Sequence, residues 1–363
     1  MKKNIKISSL AVVISFLAII ALGMILIIVL PDREVSYDER RYLADFPEIT
    51  LDAILDSEYS GELDLYLTDQ FPFREFFRKS KAIIGALLGS TDNNGYILDG
   101  DAVYKLESGT DEKQVKYAAD RFMTMAEKYL SGYDLYYTII PDKSYYHGGS
   151  YPKFDYELIW NTMSDNMNAD YIDIRDTLTL DSYYRTDTHW RQEAIVPTAN
   201  ALVSGMGITA EPATWNETTI GTFPGVYKAH SGFAVTDDTL VTLTNEHTEN
   251  AVVFNAETNA AEPVYQTDLI SGMDGYDVYL GGASAVLTIS NENARTDREL
   301  VIFRDSFGSS LVPLMIPYYS NIIVLDLRYV SGDLLDMYAD FSGEGDVLFA
   351  LSTTLLDSAR VLR

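Results

Sequence analysis

The stretch "YYRTDTHWRQEA", residues 183–194, places an acid and a histidine two positions apart, Asp187 and His189, and follows them with Trp190. Histidine is the side chain best suited to accept and return a proton near neutral pH. A carboxylate two residues earlier can fold back in a loop and hydrogen-bond one ring nitrogen, which sets the tautomer. The pattern predicts a general base with its orienting carboxylate. It also leaves open a pair of metal ligands or an ordinary helix start.

A second stretch, "LVIFRDSFGSSL", runs from an apolar strand over residues 300–303 into a turn at Asp305 and Ser306 and then into a helix. In a parallel sheet, ligands bind outside the carboxyl ends of the strands, so a serine at this position faces that crevice. The N–H groups of a helix N-terminus can stabilise a developing oxyanion there. The alternative is a structural turn in which Asp305 or Ser306 caps the helix.

The other interpretations of the Asp187–His189 pair are a metal site and a helix cap. Zinc or iron needs a third ligand, and the sequence contains no HExxH motif. On the tripeptide alone, Asp187 or Thr188 could instead cap a helix, with His189 at the surface. The remaining histidines lie in unrelated contexts: His147, His230 and His247.

Five further residues are expected at the same crevice because of their positions in the sequence. Trp190 follows the histidine and is expected to form a wall of the site. Arg328 and Tyr329, in "DLRYV" at the end of the next strand, are expected to contact substrate or the oxyanion. Asp142 and Lys143 follow another apolar strand and are expected to border the crevice, although an ordinary surface turn explains them equally well.

The elements that must position these residues alternate between helical and strand patterns. This rhythm predicts an α/β fold with a parallel sheet covered by helices on both faces. Residues 208–298 interrupt it with short alternating runs rich in Thr, Val, Gly and Asn, which predicts a β-rich insertion. The expected helices are 110–131, 154–167 and 191–204, and the expected strands are 133–140, 171–174 and 300–303.

The N-terminus predicts one transmembrane helix. Residues 7–31 form a 25-residue run without charge, which as a helix can cross a hydrocarbon core of roughly 30 Å. Lys2, Lys3 and Lys6 precede it and the first acid is Asp32, so we expect a cytoplasmic N-terminus and an extracellular main domain at the cell membrane. A cleaved signal peptide is the alternative, but the run is long and lacks a small-x-small cleavage site.

These features divide the chain into three expected parts. Residues 1–31 form a cytoplasmic tip and anchor, and residues 32–95 form a helical stem whose amphipathic pattern breaks at Pro72. Residues 96–363 form the main domain, with the β-rich insertion at about 208–298.

The composition excludes several classes of protein. The sequence has 54 Asp and Glu against 27 Lys and Arg, a formal net charge of −27. So acidic a surface repels phosphate backbones, and no nucleic-acid partner is expected. The sequence contains no cysteine, which excludes disulfide bonds, a thiol nucleophile and Cys-ligated zinc.

The motifs "DQFPFREFF", "PDKSYY", "RTDTHW" and "FRDSFGSSL", in this order behind a single anchor, resemble the DHHW and alginate O-acetyltransferase-like group of SGNH-hydrolase-like proteins. The resemblance implies an SGNH-hydrolase-like three-layer sandwich. It also implies a catalytic triad in which Asp187 orients, His189 acts as base and Ser306 is the nucleophile. In this sequence Thr188 occupies the second position of the D-x-H-W motif, and the serine turn reads Arg-Asp-Ser-Phe-Gly.

The expected function is therefore acyl transfer outside the cell. The resemblance implies an O-acetyltransferase that modifies a cell-surface or secreted polysaccharide through an acetyl-serine. No cofactor or metal is expected. The resemblance also implies a multi-span membrane acyltransferase as the acetyl donor. Two alternatives stay open: a carbohydrate acetyl esterase of the same fold, and a non-catalytic surface protein that binds carbohydrate or a partner.

Overall fold

A computed structural model of the chain describes residues 2–50 and 58–363. Their contacts separate the chain into two units. The first comprises Met1–Asn93 and Ala229–Ala234, and the second comprises Asn94–Lys228 and Val235–Arg363. The three-part division expected from the sequence stays a prediction.

The first unit begins with the apolar helix α1, Lys2–Val29. Within it, Leu10–Val29 has a mean hydropathy of 3.2 and is long enough to cross a membrane. It is the one such helix in the described part of the chain. In length and composition this helix fits a signal anchor or a signal peptide.

Within residues 32–50 and 58–95 the expected stem forms two helices, and the chain bends between them at Pro72, where the sequence pattern breaks. Phe73 opens the second helix with a φ of 60°. This left-handed conformation is uncommon for a residue with a side chain, so the bend is sharp. The elements of this part are β1 Val35–Ser36 paired antiparallel with β2 Arg41–Tyr42, α2 Glu58–Asp69, α3 Arg74–Leu87 and β3 Asp92–Asn93.

The second unit contains two hairpins and one large sheet. The hairpins are β4 Tyr96–Asp99 with β5 Ala102–Lys105, and β8 Asn216–Phe223 with β9 Asp238–Thr244. The strands of the large sheet are β6 Tyr133–Ile140, β7 Asp170–Tyr171, β10 Val252–Asn255, β11 Ala260–Glu262, β12 Val286–Ser290, β13 Glu299–Arg304, β14 Asn321–Leu325 and β15 Gly345–Ser352.

The large sheet has the order β11-β10-β12-β14-β13-β15-β6-β7. Strands β14, β13, β15, β6 and β7 pair in parallel, whereas β12, β10 and β11 pair antiparallel. The predicted α/β fold with a mainly parallel sheet is confirmed. The three antiparallel strands come from the predicted β-rich insertion, so much of that segment extends the sheet rather than forming a separate module.

Helices cover both faces of the large sheet, which gives the three layers. On one face α6 and α9 pack over Leu300, Ile302 and Val324. On the other, α4, α5 and α10 pack over Val301 and Phe303. The alternation follows from the strand period of two. The helices of this unit are α4 Glu112–Tyr129, α5 Tyr156–Asn166, α6 Val196–Gly205, the first three residues of α7 Val226–Ser231, α8 Glu246–Asn250, α9 Gly308–Met315 and α10 Thr353–Asp357.

Two predicted boundaries differ from the structure by more than two residues. The helix expected over residues 191–204 begins at Val196, because Gln192–Ala194 form a 3-10 turn and Pro197 occupies the first helical turn, where its missing N–H is harmless. The strand expected over residues 171–174 is limited to Asp170–Tyr171, where it pairs with β6.

Candidate active site

Asp187, His189 and Ser306 lie in one hydrogen-bonded row. His189 Nδ1 lies 2.7 Å from Asp187 Oδ1, and His189 Nε2 lies 2.8 Å from Ser306 Oγ. Because an ionised carboxylate only accepts hydrogen bonds, Nδ1 donates to it, and Nε2 is left to accept from the serine hydroxyl. The row therefore has the geometry needed to move a proton from Ser306 to His189.

The Asp187 carboxylate is fully buried and bonded on both oxygens. Its Oδ1 accepts from the backbone N–H of His189 at 3.0 Å, and its Oδ2 accepts from the backbone N–H of Val226 at 2.7 Å. His189 is 6% exposed. Since α6 begins only at Val196, the helix-cap interpretation of Asp187 and Thr188 is wrong.

Ser306 lies just beyond the carboxyl end of β13, as the sequence predicts. Asp305 builds the turn, because its Oδ1 accepts from Phe307 N and its Oδ2 accepts from Ser352 N, both at 3.0 Å. Helix α9 then begins at Gly308, where a Cβ would lie 2.5 Å from the Arg304 Cβ. The backbone N–H of Ser306 makes no hydrogen bond within residues 2–50 and 58–363, so it can serve a reacting oxyanion.

A cavity of about 670 Å³ opens at Ser306. Arg328 and Tyr329 line it, as predicted from their position after β14. Thr188 lines it as well, although the sequence did not single it out for this role. The other lining residues are Asp305, Phe307, Ser352, Thr354, Leu355, Ser358, Arg360, Val361 and Arg363.

Arg328 is held in this cavity by Asp326. Its Nε and Nη2 donate to the two Asp326 carboxylate oxygens at 2.9 and 2.7 Å. Burial works against the guanidinium charge, but the hydrogen bonds and charge of Asp326 outweigh it and raise the pKa of Arg328. Arg328 therefore presents a fixed cation to the cavity.

Comparison with known protein families and solved structures supports the resemblance noted in the sequence motifs. Residues 156–325, slightly less than half of the chain, match the family model described as DHHW protein. The DHHW resemblance is confirmed. The matched segment begins at α5 and ends at β14, and it includes Asp187, His189 and Ser306. Comparison of the sequence with curated proteins finds no match.

Two solved proteins have a similar fold. A DHHW family protein from Eubacterium siraeum DSM 15702 is 22% identical, with a TM-score of 0.61 over 74% of this chain and 94% of that chain. PatB1 from Bacillus cereus, in a structure with a sulfonyl adduct, is 14% identical, with a TM-score of 0.55 over 72% of this chain and 95% of that chain. At these identities the likeness concerns the fold alone.

Trp190, the last residue of the D-x-H-W motif, does not form a wall of the cavity, so that prediction is wrong. It is fully buried, and its Nε1 donates to Phe307 O at 3.1 Å and to Ser310 Oγ at 2.9 Å. The backbone of Trp190 makes a β-bridge with Tyr183. Since neighbouring side chains of an extended chain point in opposite directions, His189 points towards Ser306 at the cavity and Trp190 points into the core.

Asp142 and Lys143 are also buried and do not line the cavity, so their predicted placement is wrong. Asp142 accepts from Ser144 N at 2.9 Å and from the Tyr156 hydroxyl at 2.8 Å. Both side chains instead form hydrogen bonds with other residues of the fold.

Lys143 supports the loop of the D-x-H-W motif from within the fold. Its Nζ donates to three backbone carbonyl oxygens, those of Tyr184 at 3.1 Å, Arg185 at 3.0 Å and Asp187 at 2.9 Å. Burial lowers the pKa of Lys143 to about 7. One side chain therefore ties together the backbone that carries Asp187.

Tyr276 contacts His189 although no sequence pattern pointed to it. It lies in a 3-10 turn, Gly275–Val278, within the predicted insertion, and stacks on the imidazole. Its hydroxyl lies 2.7 Å from Ser310 Oγ, and burial raises its pKa, so the hydroxyl stays protonated. With 26 tyrosines in the chain, composition gave no way to select this one.

Metal ligands do not gather at this site. Within the part of the chain that the structure describes, no three His, Asp or Glu side chains come together in a group that could hold a metal ion. Both nitrogens of His189 are instead engaged with Asp187 and Ser306.

Proposed function

We propose that the chain is a membrane-anchored, extracellular O-acetyltransferase that modifies a cell-surface or secreted polysaccharide. The observation that carries the proposal is the row of hydrogen bonds from Asp187 through His189 to Ser306 at the edge of an open cavity. The resemblance to the DHHW and alginate O-acetyltransferase-like group supports the acetyl group and the polysaccharide. The apolar helix α1 supports the anchor.

In the first step Ser306 takes the acetyl group from a donor. His189 Nε2 accepts the hydroxyl proton while Oγ forms a bond to the acetyl carbonyl carbon, whose oxygen becomes negative. The buried Asp187 carboxylate stabilises the imidazolium that results. Collapse of this intermediate breaks the bond to the donor's leaving group, which takes the proton from His189 and departs.

The negative carbonyl oxygen requires donors that are in place before the reaction. The backbone N–H of Ser306 and the guanidinium of Arg328 border the same cavity, and we assign both to this oxyanion. Fixed donors stabilise developing charge at little reorganisation cost, and Asp326 already holds Arg328 in one orientation.

In the second step a sugar hydroxyl replaces the donor. It gives its proton to His189 Nε2 and attacks the acetyl-serine, and collapse yields the acetylated sugar while Ser306 recovers the proton. Water in the same place would release acetate, which is the esterase reaction. The acetyl group must reach the outer face of the membrane, so we propose a multi-span membrane acyltransferase as donor partner.

The first test uses the full chain in lipid nanodiscs with a chromogenic acetyl ester as donor. We expect ester cleavage in the wild type and its loss in Ser306→Ala and His189→Ala. The matched control is Ser342→Ala, on an exposed loop outside the cavity. A folded wild type without ester cleavage would contradict an activated serine and favour a binding protein.

A sulfonyl fluoride then identifies the nucleophile by intact mass. We expect one adduct on Ser306, no adduct in Ser306→Ala, and slow labelling in His189→Ala. Added oligosaccharides separate transfer from hydrolysis. A transferase moves the acetyl group to the sugar and releases less acetate as the sugar concentration rises, whereas an esterase releases the same acetate throughout.

A further inference from the structure

Helix α3 presents a continuous apolar stripe to the outside. The side chains recur at three- and four-residue spacing, which places them on one side of an α-helix. Phe76 is 65% exposed and Leu87 is 81% exposed. Large apolar side chains are more often buried in a folded protein. The exposed members of the stripe are Phe73, Phe76, Phe77, Ile83, Ile84, Leu87 and Leu88.

The opposite side of the same helix is already occupied within the first unit. Ala82 is buried, and Arg78 donates to the carbonyl oxygens of Ala229 and His230 at 3.1 and 3.0 Å. The helix is therefore oriented, and its apolar stripe is the side that the described residues of the unit leave uncovered.

The beginning of α3 is joined to the chain that leaves the membrane-spanning segment. Arg33, four residues after the end of α1, donates to both Glu75 carboxylate oxygens at 2.9 and 2.8 Å. The same side chain reaches Asp69 O at 3.1 Å, and the Arg33 N–H donates to Gln70 Oε1 at 3.0 Å. These bonds hold the first turn of α3 close to the C-terminal end of α1.

Phe71 extends this contact into α1 itself. Its ring lies 3.5 Å from the point where a Cβ on Gly23 would be. Gly23 lies inside the apolar segment Leu10–Val29, about 9 Å before its end at 1.5 Å per residue. A side chain that contacts α1 at this depth is itself at the depth of lipid when α1 crosses a bilayer.

We propose that α3 lies in the outer surface of the membrane, with its apolar stripe in contact with lipid. Helices that lie in this interface carry Phe and Leu on one face and charged residues on the other, as α3 does. The proposal rests on the proposed anchor and goes beyond the proposed function, since it assigns a second membrane contact to the stem.

The charged residues of α3 indicate whether electrostatic attraction or apolar burial drives the contact with lipid. Arg74 and Arg78 both pair with Glu39, and Lys79 pairs with Asp38 at 2.5 Å. Since each of these cations already has an acidic partner in the protein, its attraction to anionic lipid is reduced. Burial of apolar area is the main driving force, so the contact should form on neutral as well as on anionic bilayers.

The absence of cysteine from the sequence makes a direct test possible. Single cysteines replace Ile84 or Leu87 in the stripe, Lys79 on the charged side of α3, and Ser342 in the second unit. Each full-length variant carries a nitroxide label in neutral or anionic nanodiscs. Accessibility to oxygen, which concentrates in lipid, is compared with accessibility to a nickel chelate, which stays in water.

We expect the Ile84→Cys and Leu87→Cys labels to be accessible to oxygen and shielded from nickel in neutral as well as in anionic nanodiscs. The Lys79→Cys and Ser342→Cys labels should show the reverse. Nickel accessibility in the stripe equal to that of Ser342→Cys would overturn the proposal. So would stripe labels shielded from both reagents and broadened by a neighbouring label, which would mean that a second copy covers the stripe.

A label on Leu17→Cys, inside α1, separates this proposal from the anchor. If Leu17→Cys lies in lipid while the stripe lies in water, the anchor stands and the stem contact fails. If both lie in water, the anchor fails too. The assay measures no ester cleavage, so its outcome is independent of whether Ser306 is a nucleophile.

Discussion

The imidazole of His189 lies face to face on the phenol ring of Tyr276, with ring centroids 3.9 Å apart and planes inclined by 6°. Asp187 and Ser306 hold the two nitrogens of the imidazole, and Tyr276 covers one of its faces. The tyrosine lies 87 positions along the chain from the histidine (276 − 189). A proposed catalytic base therefore depends for its orientation on the segment that looked like an insertion.

We expect Tyr276→Leu to lower kcat for ester cleavage by about 10–100-fold, since small misplacements of a catalytic group have effects of this size. KM for the ester should change little, because Tyr276 does not line the cavity. Tyr276→Phe keeps the stacked ring and should retain most of the activity, while losing about 1 kcal/mol of stability with the Ser310 contact. Equal kinetic losses in both variants would argue against a positioning role.

Asp187→Asn tests the orienting carboxylate. With the side-chain oxygen of the asparagine accepting from Val226 N–H, its NH₂ group would face His189 Nδ1 and favour the tautomer with the proton on Nε2. That tautomer cannot accept the Ser306 proton, so kcat should fall by about 10³–10⁴-fold. Steady-state kinetics measure this, with Asp340→Asn on an exposed loop as the control. An active Asp187→Asn would show that the row of hydrogen bonds has no catalytic role.

Lys143→Met should change how stability depends on pH. The unfolded chain keeps the Lys143 proton up to its ordinary pKa of 10.5, whereas burial lowers the pKa in the folded chain to about 7. Between these values the unfolded state binds more protons, so Lys143 makes the free energy of unfolding rise with pH, by at most about 1.4 kcal/mol per pH unit. The variant should lack this slope.

Denaturant unfolding between pH 7.5 and pH 9 measures this difference, below the range in which tyrosines of the unfolded chain begin to ionise. Lys113→Met, on the exposed side of α4, is the control and should keep the wild-type slope. A wild type and a Lys143→Met variant with parallel curves would mean that Lys143 keeps its ordinary pKa.

Arg328 is predicted to act on the oxyanion rather than on the sugar. Arg328→Met should therefore lower kcat for cleavage of a simple acetyl ester, which contains no sugar, by about 10²–10³-fold. Arg328→Lys should recover only part of this loss, since an ammonium cannot form the two-pronged pair with Asp326. If ester cleavage is unchanged and only transfer to oligosaccharides falls, Arg328 binds the acceptor instead.

The residues whose positions could be predicted are those placed by nearby parts of the sequence. Asp187 and His189 are two positions apart, so their contact needs only a loop. Ser306 follows an apolar strand, and the end of a parallel strand defines one edge of the sheet wherever the strand lies. The structure brings these three side chains together, while their catalytic roles stay a prediction.

The predictions that failed are those that required the orientation of a side chain. Trp190 was expected beside the cavity because of its neighbour, but the bridge to Tyr183 turns it into the core. Lys143 follows β6 as a surface turn would, yet three carbonyl oxygens from residues 184–187 surround its amine. The Trp190 indole bonds to residues 117 and 120 positions away, and the carbonyl oxygens around Lys143 lie 41 to 44 positions away.

The sequence by itself determined the alternation of helices and strands, the apolar helix at the N-terminus and the two stretches that could do chemistry. Each of these depends on interactions between residues a few positions apart. Only the tertiary structure decided that part of the segment 208–298 extends the sheet through β10, β11 and β12, and that the same segment donates the Val226 N–H to Asp187 and covers His189 with Tyr276. Such contacts form when distant segments pack into one core, and packing depends on the shape of the whole fold, which no local pattern contains.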